Sequence, residues 1–178
     1  MAAFEPSAQS RPDFSGRWTM DAPAPSPAPP VQPPAQGRRG GGPAVRSGDL
    51  GSGWGSTITI AQTERALTVE YAFFTRGDMQ PPLKFTFALD GSESKNTVMM
   101  GRGFQVERSK PAWEGQTLVI TTLHDFKDPA SGKPVAFEVT RRLSLESPDS
   151  LMVETTRGGV LGGPPSTTRV VYRRAAGG

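Results

Sequence analysis

The chain carries a single histidine, His124, in the run His124-Asp125-Phe126-Lys127-Asp128. An imidazole beside carboxylates is a minimal set for general acid–base work, because its proton comes on and off near neutral pH. The same run is poor metal-binding material. Zinc and iron sites draw on more imidazole or on thiolate, and the chain has no cysteine. No metal and no cofactor is expected. Asp125, Asp128, Pro129, Ser131 and Gly132 are turn formers, so the run reads foremost as a loop. His124 stands as the one catalytic candidate, without a settled role.

Arginines share the alternation of apolar strand faces. Arg108 follows Phe104 and Val106, Arg141 follows Phe137 and Val139, Arg157 follows Val153 and Thr155, and His124 follows Ile120 and Thr122. Pointing inward near one rim, they would form a cationic mouth over an apolar cup. That suits an anionic amphiphile, since a guanidinium holds a carboxylate bidentately. The plainer alternative is that they are strand-end residues emerging into water, because arginine is almost never buried unpaired. The cup itself would be walled by Ile58, Ile60, Leu67, Val69, Tyr71, Phe73, Leu83, Phe85 and Phe87.

The elements that position these side chains follow from the hydrophobic period. From Trp54 to Arg174 the sequence alternates with period two, the signature of half-buried strands. Strands are expected at Phe14 to Asp21, Ser56 to Gln62, Ala66 to Thr75 and Leu83 to Leu89. Further ones fall at Thr97 to Gly101, Phe104 to Trp113, Thr117 to Phe126, Val135 to Leu145, Leu151 to Arg157 and Thr168 to Arg174. Turn residues such as Asp90-Gly91 and Glu114-Gly115 separate them, and no helical period appears. An up-and-down meander of this length loses its exposed edges by closing. The expectation is an all-β domain, a single closed antiparallel barrel of about 8–10 strands.

Residues 22–53 break the pattern. Ala22 to Pro30 is polyproline-like and short of backbone donors, and Gly37 to Gly42 and Gly48 to Gly55 add backbone entropy. This Pro/Gly-rich insert reads as a linker or lid, dispensable for folding. Residues 1–13 and 175–178 read as tails on a barrel spanning 14–174. Of 178 residues, 21 are Gly and 18 Pro, and much of that excess lies in the insert.

Other partners are disfavoured. The net charge of +3 is spread along the chain, and Gly37-Arg38-Arg39-Gly40 and Arg157-Gly158-Gly159 are single Arg-Gly fragments with no adjoining aromatic platform. No nucleic-acid partner is expected. No apolar run reaches the ~18 residues of a membrane helix. Ala8-Gln9-Ser10 before Arg11-Pro12-Asp13 looks like the remnant of a cleaved signal, which implies a periplasmic or secreted protein. The oligomeric state is open.

Phe14-Ser15-Gly16-Arg17-Trp18 resembles the Gly-x-Trp opening of lipocalins, and Val170-Val171-Tyr172-Arg173-Arg174 resembles their closing strand, where an arginine lies over the tryptophan. The stretches 113–121, 142–145 and 151–154 resemble exported bacterial lipocalin-like proteins. The resemblance covers roughly 14–21 and 54–174. It implies a calycin-type barrel in which Trp18 and Arg173 close one end as a stacked cation–π pair. The long Pro-rich connection and the missing cysteine pair depart from it.

Three functions fit. One is a non-catalytic protein holding a small apolar or anionic amphipathic ligand. Another is an isomerase, cyclase or lyase using His124 with an inward arginine as oxyanion partner. The third is a packed barrel whose Pro-rich arm docks into a partner protein. An open apolar cup favours the first, a histidine–carboxylate contact inside the barrel the second, and a filled core the third.

Overall fold

A computed structural model describes residues 11–21, 54–71, 82–100, 103–127, 132–158 and 164–175. The insert at 22–53 lies outside them; so do the outer parts of both tails and Phe73. The strands are β1 (Gly16–Met20), β2 (Thr57–Gln62), β3 (Ala66–Tyr71), β4 (Leu83–Ala88) and β5 (Ser94–Met100). They continue with β6 (Gly103–Glu114), β7 (Thr117–Lys127), β8 (Pro134–Ser147), β9 (Ser150–Arg157) and β10 (Ser166–Arg174). All pairings are antiparallel, in the order β4-β3-β2-β1-β10-β9-β8-β7-β6-β5. The result is a nearly closed up-and-down barrel of ten strands. Among the described residues no helix is long and apolar enough to cross a membrane.

Alternation sets the inside. On β2 and β3, Ile58, Ile60, Leu67, Val69 and Tyr71 are buried, and the residues between them reach solvent or are half-buried. The turn between β6 and β7 places Gly115 at φ 61°, a left-handed conformation that glycine adopts without penalty. β5 starts at Ser94, earlier than the apolar period indicates, because its first inward residues are polar: Ser94 and Asn96 are buried.

Those two residues explain the closure. No backbone ladder joins β4 to β5 among the described residues. Asn96 instead accepts from Thr86 N through Oδ1 at 2.8 Å and donates to Thr86 O through Nδ2 at 3.1 Å, while Ser94 Oγ accepts from Ala88 N at 2.7 Å. An amide side chain thus does for the last pair of edges what backbone does elsewhere. Asn96→Ala leaves both backbone groups of Thr86 without their partner, and the expected cost is roughly 1–3 kcal/mol. Hydrogen exchange reads it directly: the Thr86 amide should lose protection before the β7–β8 amides do. Unchanged protection at Thr86 would show the seam to be closed by something else.

Candidate functional site

One end of the barrel is a plug. Trp18 is fully buried and its Nε1 donates to Phe14 O at 2.9 Å. Phe14 stacks on Trp113, with ring centroids 6.0 Å apart. The cation over Trp18 is Arg174, 4.3 Å from the ring centroid, and not Arg173. The register gives the reason: Trp18 lies opposite Arg174, so these two share the inner face, and Arg173 is turned outward to pair with Asp21 at 2.9 Å. Arg174 also donates to Ser15 O at 2.6 Å and to Pro148 O at 3.0 Å, tying three chain segments together. Gly16 lies beneath it at φ 143°, a backbone conformation that L side chains rarely adopt, and a Cβ there would push the guanidinium from its place. Sequence pattern alone could not choose between two adjacent arginines; pairing register could.

The other half of the interior is polar. Four inner-face positions of β6 to β9 carry Glu107, His124, Arg141 and Arg157, with Ser109, Thr122 and Thr155 between them. Arg141 is buried, and its guanidinium lies 5.1 Å from the centroid of Trp54. Trp54 is itself 1% exposed and touches Phe87 of β4, so it reaches across the barrel from the chain just before β2. Burial lowers the Arg141 pKa, while the nearby Tyr71 and Glu107 act in the opposite sense and Arg157 adds to the lowering. Arg157 is half-buried, its pKa also lowered by burial, and its Nη1 donates to Thr168 Oγ1 on β10 at 3.4 Å. Among the described residues, Arg141, Arg157 and the carboxylate of Glu107 thus share the inner face of β6 to β9.

Tyr71, Phe85 and Phe87 form a stacked aromatic wall on β3 and β4, with successive centroids 5.8 and 6.5 Å apart. Burial is the main cause that pushes the Tyr71 phenol up to about 12; Arg141 opposes the shift, and Glu107 and Tyr172 add to it. The phenol therefore stays a proton donor throughout the physiological range. Its folded pKa lies above the unfolded value near 10, so its stabilisation is complete below pH ~10 and is lost as pH rises toward 12. Absorbance titration at 295 nm should show a late phenolate step near pH 12 that Tyr71→Phe abolishes. A late step that survives in that variant would assign it elsewhere.

Arg108 does not join this group. It lies on the outer face, half exposed, paired with Asp125 at 2.9 Å. The inner phase of β6 is Glu107, Ser109 and Pro111, and the apolar residue preceding Arg108 in its own phase, Val106, is 50% exposed. An apolar residue on the outer face and a carboxylate on the inner one invert the usual pattern, which is why alternation placed Arg108 wrongly. His124 is also corrected: it is not in a loop, because β7 runs on to Lys127. Its ring stacks on its cross-strand neighbour Phe137, centroids 5.0 Å apart, and Nδ1 lies 3.2 Å from Glu107 Oε1. Glu107 and Trp54 went unread in the sequence. A glutamate two residues before Ser109, in register with the only histidine, was the available signal.

Among the described residues no group of three potential ligands is placed to hold a metal ion. A separate surface groove of about 500 Å³ lies beside the plug, lined by Arg11, Leu89, Lys110, Pro111 and Trp113 among others. The nearly closed antiparallel barrel, with one plugged end and a charged inner half, is compatible with a lipocalin-like fold. No family model, curated protein or solved structure matches the chain.

Proposed function

We propose that this barrel binds a small amphipathic anion, a carboxylic acid above all, in its polar half, in the manner of lipocalin-like carriers. The observation that carries the reading is Arg141: a buried guanidinium on the inner face, stacked on Trp54 and bordered by the Tyr71 phenol. A guanidinium on the inner face can hold a carboxylate through two parallel hydrogen bonds. The aromatic wall of Tyr71, Phe85 and Phe87 supplies the apolar contact. Titration of the full chain with decanoic acid and with decanol, followed by tryptophan fluorescence, tests this. Trp54 beside Arg141 makes the signal local. The acid should bind more tightly than the alcohol; equal affinity, or none, would remove the reading.

The Glu107–His124 contact favours a second reading, acid–base chemistry with an arginine as oxyanion partner. It asks more of the site than binding does, because a base and an oxyanion donor must both lie near 3 Å from one reacting group.

A further inference from the structure

The groove beside the plug, at about 500 Å³, has the size of a small-molecule cleft, a class that runs from about 300 to 1,000 Å³. Buried Leu89 and Pro111 line it together with the partly buried Trp113 of β6. Two cations stand on it, Arg11 and Lys110. Neither side chain makes an ion pair or a hydrogen bond among the described residues. The Arg11 guanidinium lies over the Trp113 ring, 5.2 Å from its centroid. Stacking uses the face of a guanidinium and leaves its N–H edges unfilled, so the fork is oriented and open. The segment that carries it is tied down. Gln62 Nε2 donates to Pro12 O at 2.9 Å, Gln62 Oε1 accepts from Phe14 N at 3.0 Å, and Phe14 stacks on the same indole.

The indole adds a second sign. Trp113 Nε1 is buried and has no acceptor among the described residues, although buried polar atoms are nearly always paired. One carboxylate lines the groove, that of Asp90, and it is already engaged: its Oδ1 accepts from Ser92 N at 2.9 Å and from Ser92 Oγ at 2.6 Å. Two cations therefore outweigh one anion there. We propose that this groove is a second binding site, for a small organic acid. Arg11 holds the carboxylate through two parallel N–H bonds, Lys110 supplies a second positive charge, and the acid's apolar body lies along Leu89, Pro111 and Trp113. The planar fork and the apolar lining select a carboxylate on a carbon frame over an inorganic anion. The proposal stands on its own residues and does not depend on the barrel interior.

The test follows the indole ¹H–¹⁵N resonances of the full chain during titration with benzoate, benzyl alcohol and inorganic phosphate at constant ionic strength. The chain has three tryptophans, and Trp113→Phe identifies the peak in question. Benzoate should move the Trp113 resonance along a saturating curve, while the alcohol and phosphate leave it nearly still. Arg11→Gln and Lys110→Gln should each weaken benzoate by about two- to tenfold, the range for one net hydrogen bond or less. Both residues are exposed, so an unmoved Trp18 peak should verify that the plug is intact in the variants. A Trp113 peak that ignores benzoate overturns the proposal in the wild type, without any variant. Equal shifts with the alcohol would mean apolar contact alone, and equal shifts with phosphate any anion; either overturns the organic-acid site. So does an unchanged benzoate affinity in both variants. A response at Trp54 in place of Trp113 would put benzoate in the barrel interior, overturning the groove and leaving the interior reading standing.

Discussion

Trp18→Ala is expected to destabilise the protein by about 3–5 kcal/mol, the range for removing a large aromatic from a packed core. Trp18 is fully buried. Its loss removes the surface on which Arg174 stacks and the donor that caps Phe14 O, so the plug loses its centre as well as its volume. Arg174 would keep its bonds to Ser15 and Pro148 but hold them over a cavity. Trp18→Phe separates the two contributions: it retains much of the apolar volume and part of the cation–π contact but not the hydrogen bond, and should cost markedly less. Urea unfolding followed by far-ultraviolet circular dichroism measures both. A Trp18→Ala midpoint equal to that of the parent would mean that the plug does not hold this end. By contrast Arg173→Ala, which removes an exposed pair with Asp21, should change stability by no more than about 1 kcal/mol. The contrast between two adjacent arginines tests the register itself.

How far the sequence could be read depended on which physical signal each residue carries. Alternation located ten strands and one barrel because Ile58, Ile60, Leu67 and Val69 must all face one side, and a one-residue slip would expose them together. It failed where the inner face is polar. Ser94 and Asn96 lengthen β5 and close the seam, yet in sequence they look like turn residues. Glu107 and Ser109 face inward while Val106 faces out, so the apolar phase of β6 pointed to the wrong arginine. Arg141 was legible because Val139 and Leu143 flank it in a long, unbroken apolar phase and all three are buried. Trp54 was not legible at all: it precedes a strand, and nothing local says that it reaches across the barrel to Arg141. Long-range placement of that kind comes from the closed topology, which periodicity does not encode.

Arg141→Met should separate stability from binding. The guanidinium is buried and burial lowers its pKa, so the fold disfavours the charged form. Since the folded pKa lies below the unfolded one, the charge costs stability at every pH where an unfolded arginine is protonated, neutral pH included. Methionine fills a similar volume without a charge and can lie against Trp54 through sulfur–aromatic contact. Replacing a buried ion by an apolar group of similar size is neutral or stabilising by about 1–4 kcal/mol in other proteins, and the melting temperature here should hold or rise. Binding should move the other way. A hydrogen bond to a charged group contributes about 1.5–3 kcal/mol, so a carboxylic acid should bind roughly ten- to a hundredfold more weakly, while the matching alcohol hardly changes. Arg141→Lys sharpens the result: it keeps the charge but loses the planar fork and the stack on Trp54, and should recover only part of the acid affinity. A variant that is less stable and binds acid as before would make Arg141 a structural member of the core, held by its neighbours and not by a ligand. A variant that melts higher and has lost the acid would identify a side chain kept at the expense of stability because the bound anion needs it.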